Sequence, residues 1–216
     1  VATLEAVLKM HIVSGKVMSD DLSDGLTITP LYRDDLTVRL EDGAKIADPN
    51  DRVSNITGAD IEAQNGVVHV IDKVILPDQR PETVVDIVTA NDDFTTLVAA
   101  LTREDLTVDF VGTLSDDGPF TVFAPTNEAF ADLLAELGVG SLAEIDLATL
   151  EAVLKMHVLA GKVMSGDLSE GMTANTLLGE ELMFSLEGGA SITDPNGRVS
   201  NITAADILAK NGVVHV

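Results

Sequence analysis

"NGVVHV" stands at Asn65–Val70 and again at Asn211–Val216. The two copies belong to a longer correspondence, and that correspondence decides how the chain is divided. ATLEAVLKMH at Ala2–His11 recurs at Ala148–His157, 146 positions on. At the same offset DPN at Asp48–Asn50 falls on Asp194–Asn196, and RVSNIT at Arg52–Thr57 falls on Arg198–Thr203. The alignment runs without a gap to Val70 on Val216, with about two thirds of positions identical. A period this long is that of a whole domain with its own core, far above the roughly 20–50 residues of a solenoid repeat.

The chain therefore reads as one and a half periods. Residues 1–82 are expected to be the second half of a first domain with a short linker, PDQRPE at Pro77–Glu82, whose two prolines suit a stiff connection. Residues 83–216 are expected to be a nearly complete second domain lacking its last strand, the counterpart of Ile71–Leu76. On this reading the stop after Val216 is a cut in a longer tandem array.

Composition narrows the classes of function. Lys and Arg number 13 against 36 Asp and Glu, a net charge of −23. Such a field repels phosphate backbones and anionic lipid, which disfavours nucleic-acid and membrane-surface binding. With 45% hydrophobic residues there is ample core material, yet no run approaches the roughly 18 apolar residues of a membrane span. No cysteine is present, so neither disulfides nor thiolate metal sites are available. SDDLSDG (Ser19–Gly25) and SDDG (Ser115–Gly118) do not match calcium-loop spacing.

In the second period, Thr83–Asp109 reads as helix, with Asn91 or Asp92 capping its second part. GPFTVFAP (Gly118–Pro125) reads as a buried strand, TNEAFADLLAELG as a helix ended by Gly138, and Leu147–His157 as another helix. From Gly161 short runs (KVMS, TANTLL, LMFSLEG, SIT, RVSNIT, VVHV) alternate with Gly, Asp-Pro-Asn and Asn-Gly turns, which predicts an antiparallel sheet. Helices followed by strands make an α+β domain.

No candidate site points to catalysis. His157 and His11 follow a helix with no nucleophile motif in reach, and read as hydrogen-bonded corner residues. His69 and His215 lie between valines, where alternation turns them to the other side of the strand. Four histidines in two equivalent pairs, without His-x-x-x-His spacing, do not make a zinc site. The Gly-Lys pairs ending at Lys16 and Lys162 lack the upstream glycine and following hydroxyl of a phosphate loop. Asn-Ile-Thr at Asn55–Thr57 and Asn201–Thr203 satisfies the glycosylation sequon. With no tryptophan and 3% aromatics, stacking platforms for sugars or bases are lacking. Neither cofactor, metal nor catalytic residues are expected. An interaction protein is what remains.

Three ordered motifs resemble the fasciclin-like (FAS1) family. TVFAPTNEAF resembles its first signature through Thr121, Phe123, Pro125, Thr126, Asn127 and Phe130. NGVVHV resembles the second through Asn211, Gly212 and His215, and in the first copy through Asn65, Gly66, His69 and the following Asp72. LKMHVLAGK resembles the segment between them, with Met156 and Met10 where a tyrosine is common. The resemblance implies a wedge-shaped β-sandwich with helices alongside, an extracellular or periplasmic location, and adhesion to other proteins, cell surface or matrix rather than catalysis. It also implies a possible interaction role for Asp206-Ile207 and Asp60-Ile61, since some animal members use an Asp-Ile pair there for integrin recognition. The plainer account is that the Asp caps a turn while the Ile packs inward. A small-ligand module with a pocket between helices and sheet is the alternative function.

The duplication has a physical consequence. One helical half, Thr83–Asp146, faces two near-identical β halves, so one β half is expected to lack a helical partner and expose apolar surface. Self-association or domain exchange through that incomplete half is the expected result.

Overall fold

A computed structural model describes residues 3–32 and 34–216. The chain separates into two compact units, Val1–Gln79 and Arg80–Val216. Of the repeated stretch, Ala2 lies outside the described residues.

The first unit opens with helix α1 (Leu4–Met10), capped by the Thr3 hydroxyl, which accepts from the Ala6 N–H at 3.2 Å. Strands β1 (Thr27–Ile28), β2 (Leu36–Arg39), β3 (Lys45–Ala47), β4 (Val53–Ala63) and β5 (Gly66–Ile71) then form one antiparallel sheet in sequential order. Its core gathers Met10, Leu36, Val38, Ile46 and Ile75, with Tyr32, Ile56 and Ile71 against them. The β4–β5 hairpin sets Ile61 opposite Val68 and Ala63 opposite Gly66. Strand β5 has β4 on one side and stands at the edge of the sheet.

The second unit begins with helices α2 (Val84–Thr89), α3 (Thr95–Leu101) and α4 (Phe110–Ser115), followed by strand β6 (Phe120–Phe123) and helices α5 (Asn127–Leu137) and α6 (Leu147–Met156). Strands β7 (Val158–Ala160), β8 (Thr173–Asn175), β9 (Glu181–Ser185), β10 (Ser191–Thr193), β11 (Val199–Asn201), β12 (Ile207–Ala209) and β13 (Gly212–His215) complete it. Two four-stranded sheets result, β11-β10-β9-β8 and β12-β13-β6-β7. The main core joins α2–α6 to the second sheet through Val84, Val88, Phe94, Leu97, Phe110, Leu114, Phe130, Leu150, Leu154, Val158 and Val214. A smaller cluster of Phe123, Leu159, Leu182, Phe184 and Ile192 lies between the sheets. The helical segment thus pairs with the β half that follows it.

This α+β arrangement departs from the sequence reading in four places. The helix expected over Thr83–Asp109 is broken at Asn91, whose extended backbone and side chain (accepting from Asp93 N–H) start a 3₁₀ turn before α3. Residues 102–109 are not helical, because Arg103 pairs with Asp105 at 2.6 Å and donates to the carbonyls of Leu142 and Ile145. KVMS is not a strand: Met164 leads into a 3₁₀ turn closed by the Asp167 carboxylate on its N–H. The sheet is not wholly antiparallel, since β13 runs parallel to β6 with Val214 opposite Val122.

Candidate functional site

The NGVVHV hairpin occurs twice in the same register. In the second unit Ile207 faces Val214 and Ala209 faces Gly212, as Ile61 faces Val68 and Ala63 faces Gly66 in the first. Around each hairpin the chain builds the same hydrogen-bond cluster. The Asp206 carboxylate accepts from the N–H of Ser165 at 2.8 Å and from its hydroxyl. The Asp206 N–H donates to His215 Nδ1 at 3.3 Å, so Nε2 carries the ring proton and donates to the Val163 carbonyl at 2.9 Å. In the first unit Asp60, Ser19, His69 and Val17 repeat these bonds one for one.

This cluster contains a serine, a histidine and an aspartate, but it is not arranged for nucleophilic chemistry. The hydroxyl donates to the carboxylate rather than to the imidazole, and both ring nitrogens are already held by backbone groups. Asp206 and Asp60 sit at φ 61 and φ 58, the left-handed region where a short polar side chain is tolerated. Hydrogen bonds from Ser165 and Ser19 hold their carboxyls below the usual range. For Asp206 the Ser165 hydroxyl is the largest cause of that lowering and the Ser165 N–H the next. Both Asp residues therefore hold a turn; Ile207 is half-buried against the main core, while Ile61 is exposed.

The residues of the first signature position the helical half. Thr126 caps α5 by accepting from Ala129 N–H, and Asn127 Oδ1 accepts from Thr96 N–H at 2.8 Å while its amide donates to the Asp92 carbonyl. Phe130 is buried in the main core, and half-buried Pro125 leads from β6 into α5. Thr121 Oγ1 donates to the Gly161 carbonyl at 2.7 Å and accepts from Val163 N–H. The Phe123 ring stacks on His215 with centroids 5.5 Å apart. His215 thus lies opposite Val214 as alternation requires, yet its side is covered as well.

The corner histidines bond along their own helices. His157 Nδ1 donates to the Val153 carbonyl at 2.7 Å, and burial pushes its pKa below the ordinary histidine value. His11 Nδ1 donates likewise to Val7, and its Nε2 accepts from Ile75 N–H at 3.1 Å. The Asp72 carboxylate accepts from both the backbone and side-chain amides of Asn55. Among the described residues, no three His, Asp or Glu side chains gather into a metal-binding group.

Asn211 makes the contact that sequence reasoning leaves without a role. Its Oδ1 accepts from Val84 N–H at 2.8 Å, and its Nδ2 donates to the carbonyls of Leu114 and Asp116, both at 2.8 Å. One side chain thereby holds the start of α2 and the end of α4 against the hairpin. Gly212 beside it has no room for a side chain: a Cβ there would overlap the Phe120 carbonyl and meet Val84 Cγ1 at 2.9 Å. Asn65 and Gly66 occupy the same places in the first unit, where Asn65 is exposed and a Cβ on Gly66 would meet nothing within 4 Å.

The same contrast holds for the apolar face. Leu150, Leu154, Val158 and Val214 are 0%, 3%, 3% and 0% exposed; their counterparts Leu4, Leu8, Ile12 and Val68 are 74%, 57%, 51% and 54% exposed. Covering four such side chains is worth on the order of 6–12 kcal/mol before ordering costs. In the first unit these four positions are exposed, and β5 is paired with β4 alone. The seam between helices and sheet in the second unit, by contrast, is filled. The void bounded by Val84, Val88, Leu97, Leu154 and His157 is about 10 Å³, room for one water and for no organic ligand.

Comparison with known proteins agrees with this architecture. The Fasciclin domain family model matches residues 1–77 and 92–216. Human periostin is 33% identical over 210 residues, covering 97% of this chain and 23% of periostin. Protein sll1483 of Synechocystis sp. is 39% identical over 134 residues, covering 62% of this chain and 69% of that protein. The pig transforming growth factor-beta-induced protein ig-h3 is 31% identical over 212 residues, covering 96% of this chain and 29% of ig-h3. The chain thus spans less than a third of the length of periostin and of ig-h3. A solved FAS1 domain pair from the insect cell adhesion molecule Fasciclin I shares the fold, with a TM-score of 0.50 and 17% identity over 98% of this chain and 77% of that one. With both signatures seated in an α+β FAS1 fold and the family model matched across nearly all of its length, the chain belongs to the fasciclin domain family.

Proposed function

We propose that this chain is an adhesion or scaffold module of tandem fasciclin domains, residues 1–82 being the second half of a first domain with its short linker and residues 83–216 a nearly complete second domain lacking its last strand. It acts outside the cytoplasm, at a cell surface, in matrix or in a periplasm. Its partners are proteins or matrix components, and they include further fasciclin units, so that the chain self-associates. The observation that carries the reading is the same bracing cluster in both units, Asp60 with Ser19 and His69 and Asp206 with Ser165 and His215, its imidazoles held by backbone groups, in a chain that shares its fold with a domain pair from a cell adhesion molecule. The filled seam in the second unit supports this reading over the ligand-pocket alternative. Among the described residues no helix is long and apolar enough to cross a membrane.

Two measurements test the proposal. The chain should adhere to immobilised extracellular matrix well above albumin-coated controls, and light scattering at micromolar concentration should show mass above the monomer. A monodisperse monomer that ignores matrix would refute it.

A further inference from the structure

Each bracing cluster holds an imidazole whose bonds suit the neutral ring. His215 Nδ1 accepts from the Asp206 N–H at 3.3 Å while Nε2 donates to the Val163 carbonyl at 2.9 Å. A proton added at Nδ1 would point at another N–H, and that bond would be lost. The bond from Nε2 to Val163 survives the change, so the ring stays anchored at one end. Phe123, stacked on the ring, does not oppose the charge, because an aromatic face attracts a cation. Asp206 faces the ring from the turn before β12, close enough for the two to interact electrostatically, and Lys162 approaches the same carboxylate. Asp167, on the 3₁₀ turn with Ser165, accepts from the Met164 N–H at 2.9 Å. Beside the ring β6 presents Phe123, whose N–H donates to the His157 carbonyl, and β13 presents valines. In the first unit Lys16 approaches Asp60 and pairs with Glu62 at 2.9 Å.

We propose that each cluster is an acid-operated latch. When His215 Nδ1 takes up a proton from solvent, the ring stops accepting from the Asp206 N–H and donates to the Asp206 carboxylate, which leaves Ser165. Asp60, Ser19 and His69 work in the same way in the first unit. With the ring neutral, the carboxylate has two donors, the Ser165 N–H and hydroxyl. With the ring charged, it has one bond between two ions, the stronger class of hydrogen bond. Asp206 and Asp60 sit at φ 61 and φ 58, a backbone state that persists only where surrounding bonds hold it, so loss of the bond to the N–H lets the turn relax. The result is release of the 3₁₀ turn at Ser165–Asp167 from the hairpin, while β12 and β13 stay paired. Histidine is the side chain that changes charge between about pH 5 and about pH 8, which sets the range of the switch. The latch does not depend on the adhesion reading.

The test follows the full chain by NMR. Protection of the Ser165 and Ser19 amides against hydrogen exchange, corrected for the intrinsic pH dependence of exchange, should fall at least tenfold between about pH 7.5 and about pH 5.5. The fall should track the titration of the His215 and His69 ring carbon protons, and it should exceed any change at Thr121 and Val122 in β6. His215→Asn, whose side-chain oxygen takes the place of Nδ1 but cannot charge, should hold Ser165 protection constant while Ser19 still responds. His69→Asn should do the reverse. Where either variant fails to fold, the other variant and the titration of the parent chain decide. Ser165 protection that stays level over this range, whether or not the His215 ring titrates, overturns the latch. An equal fall at Thr121 and Val122 overturns it as well, because that is acid unfolding of the whole unit. So does a Ser165 response that survives His215→Asn.

Discussion

Asn211 Nδ2 donates to the Leu114 carbonyl across 97 residues of sequence, at 2.8 Å in a buried site. Replacing Asn211 by Ala would leave that carbonyl and the Val84 N–H without partners inside the core. Each buried unsatisfied group costs about 1–3 kcal/mol, so the second unit should lose about 3 kcal/mol. Asn65→Ala, at the exposed counterpart, should change stability by less than about 0.5 kcal/mol. Tyr32 is the chain's one tyrosine and there is no tryptophan, so its fluorescence reports the first unit while far-ultraviolet dichroism reports both. Denaturant titration followed by both probes separates the two outcomes.

The glycines beside these asparagines give a second contrast. Gly212→Ala drives a methyl group into the Phe120 backbone and Val84, which a packed sheet cannot move aside cheaply. The second unit should lose about 3 kcal/mol, the upper part of the usual overpacking range, and β6 should separate from β13. Gly66→Ala meets open space and should be neutral or slightly stabilising, because alanine loses less backbone entropy on folding. Amide exchange at Thr121 and Val122 should speed up in the first variant and stay unchanged in the second.

Asp206 provides a pH test. Its folded pKa is lowered, first by the Ser165 hydroxyl and then by the Ser165 N–H. A depressed carboxylate favours the folded state above its unfolded pKa, about 3.9, and loses that contribution as pH falls through the folded value. Asp206→Asn removes the charge while keeping a residue that tolerates φ 61. The variant should melt below the parent at pH 7, and the gap should narrow as pH falls from the unfolded value of about 3.9 through the lowered folded value. A gap that stays constant as pH falls through that acid window would show that the ionised form is not what matters.

How much of this is legible in the sequence follows from which forces act locally. Helix α5 is readable because Phe130 and Leu134 recur at helical spacing between a Thr126 cap and Gly138 at φ 68. The 146-residue offset is readable because identical residues need no physics to align. The break at Asn91 is half visible: the capping residue can be recognised, but the apolar pattern runs through it. Helix α4 escapes the sequence reading because six residues starting after Asp109 carry too short a period, and tertiary contacts of Phe110 and Leu114 supply its stability. The parallel pairing of β13 with β6 leaves no local trace, since both strands read as apolar runs whatever lies beside them. The role of Asn211 is hidden for the same reason. Its three partners lie 95 to 127 residues away, and beside Gly212 it reads as a turn residue.

His157 carries the last prediction. Burial is the first cause of its lowered pKa, the bond to the Val153 carbonyl acts the other way, and Arg198 adds a small lowering. A histidine with a depressed folded pKa binds protons more readily when unfolded. Its contribution is therefore complete above the unfolded value of about 6.5 and is lost as pH falls from there through the folded value. The second unit should weaken as pH falls below the unfolded value of about 6.5, ahead of the carboxylate window. His157→Gln, which keeps a donor but cannot ionise, should flatten that slope even if it lowers stability at pH 7. Carbon-bound ring protons followed by NMR should place the His157 titration below about 6.5. A midpoint at or above that value would mean that burial does not outweigh the Val153 bond, and the proposed loss of stability at mildly acid pH would not come from His157.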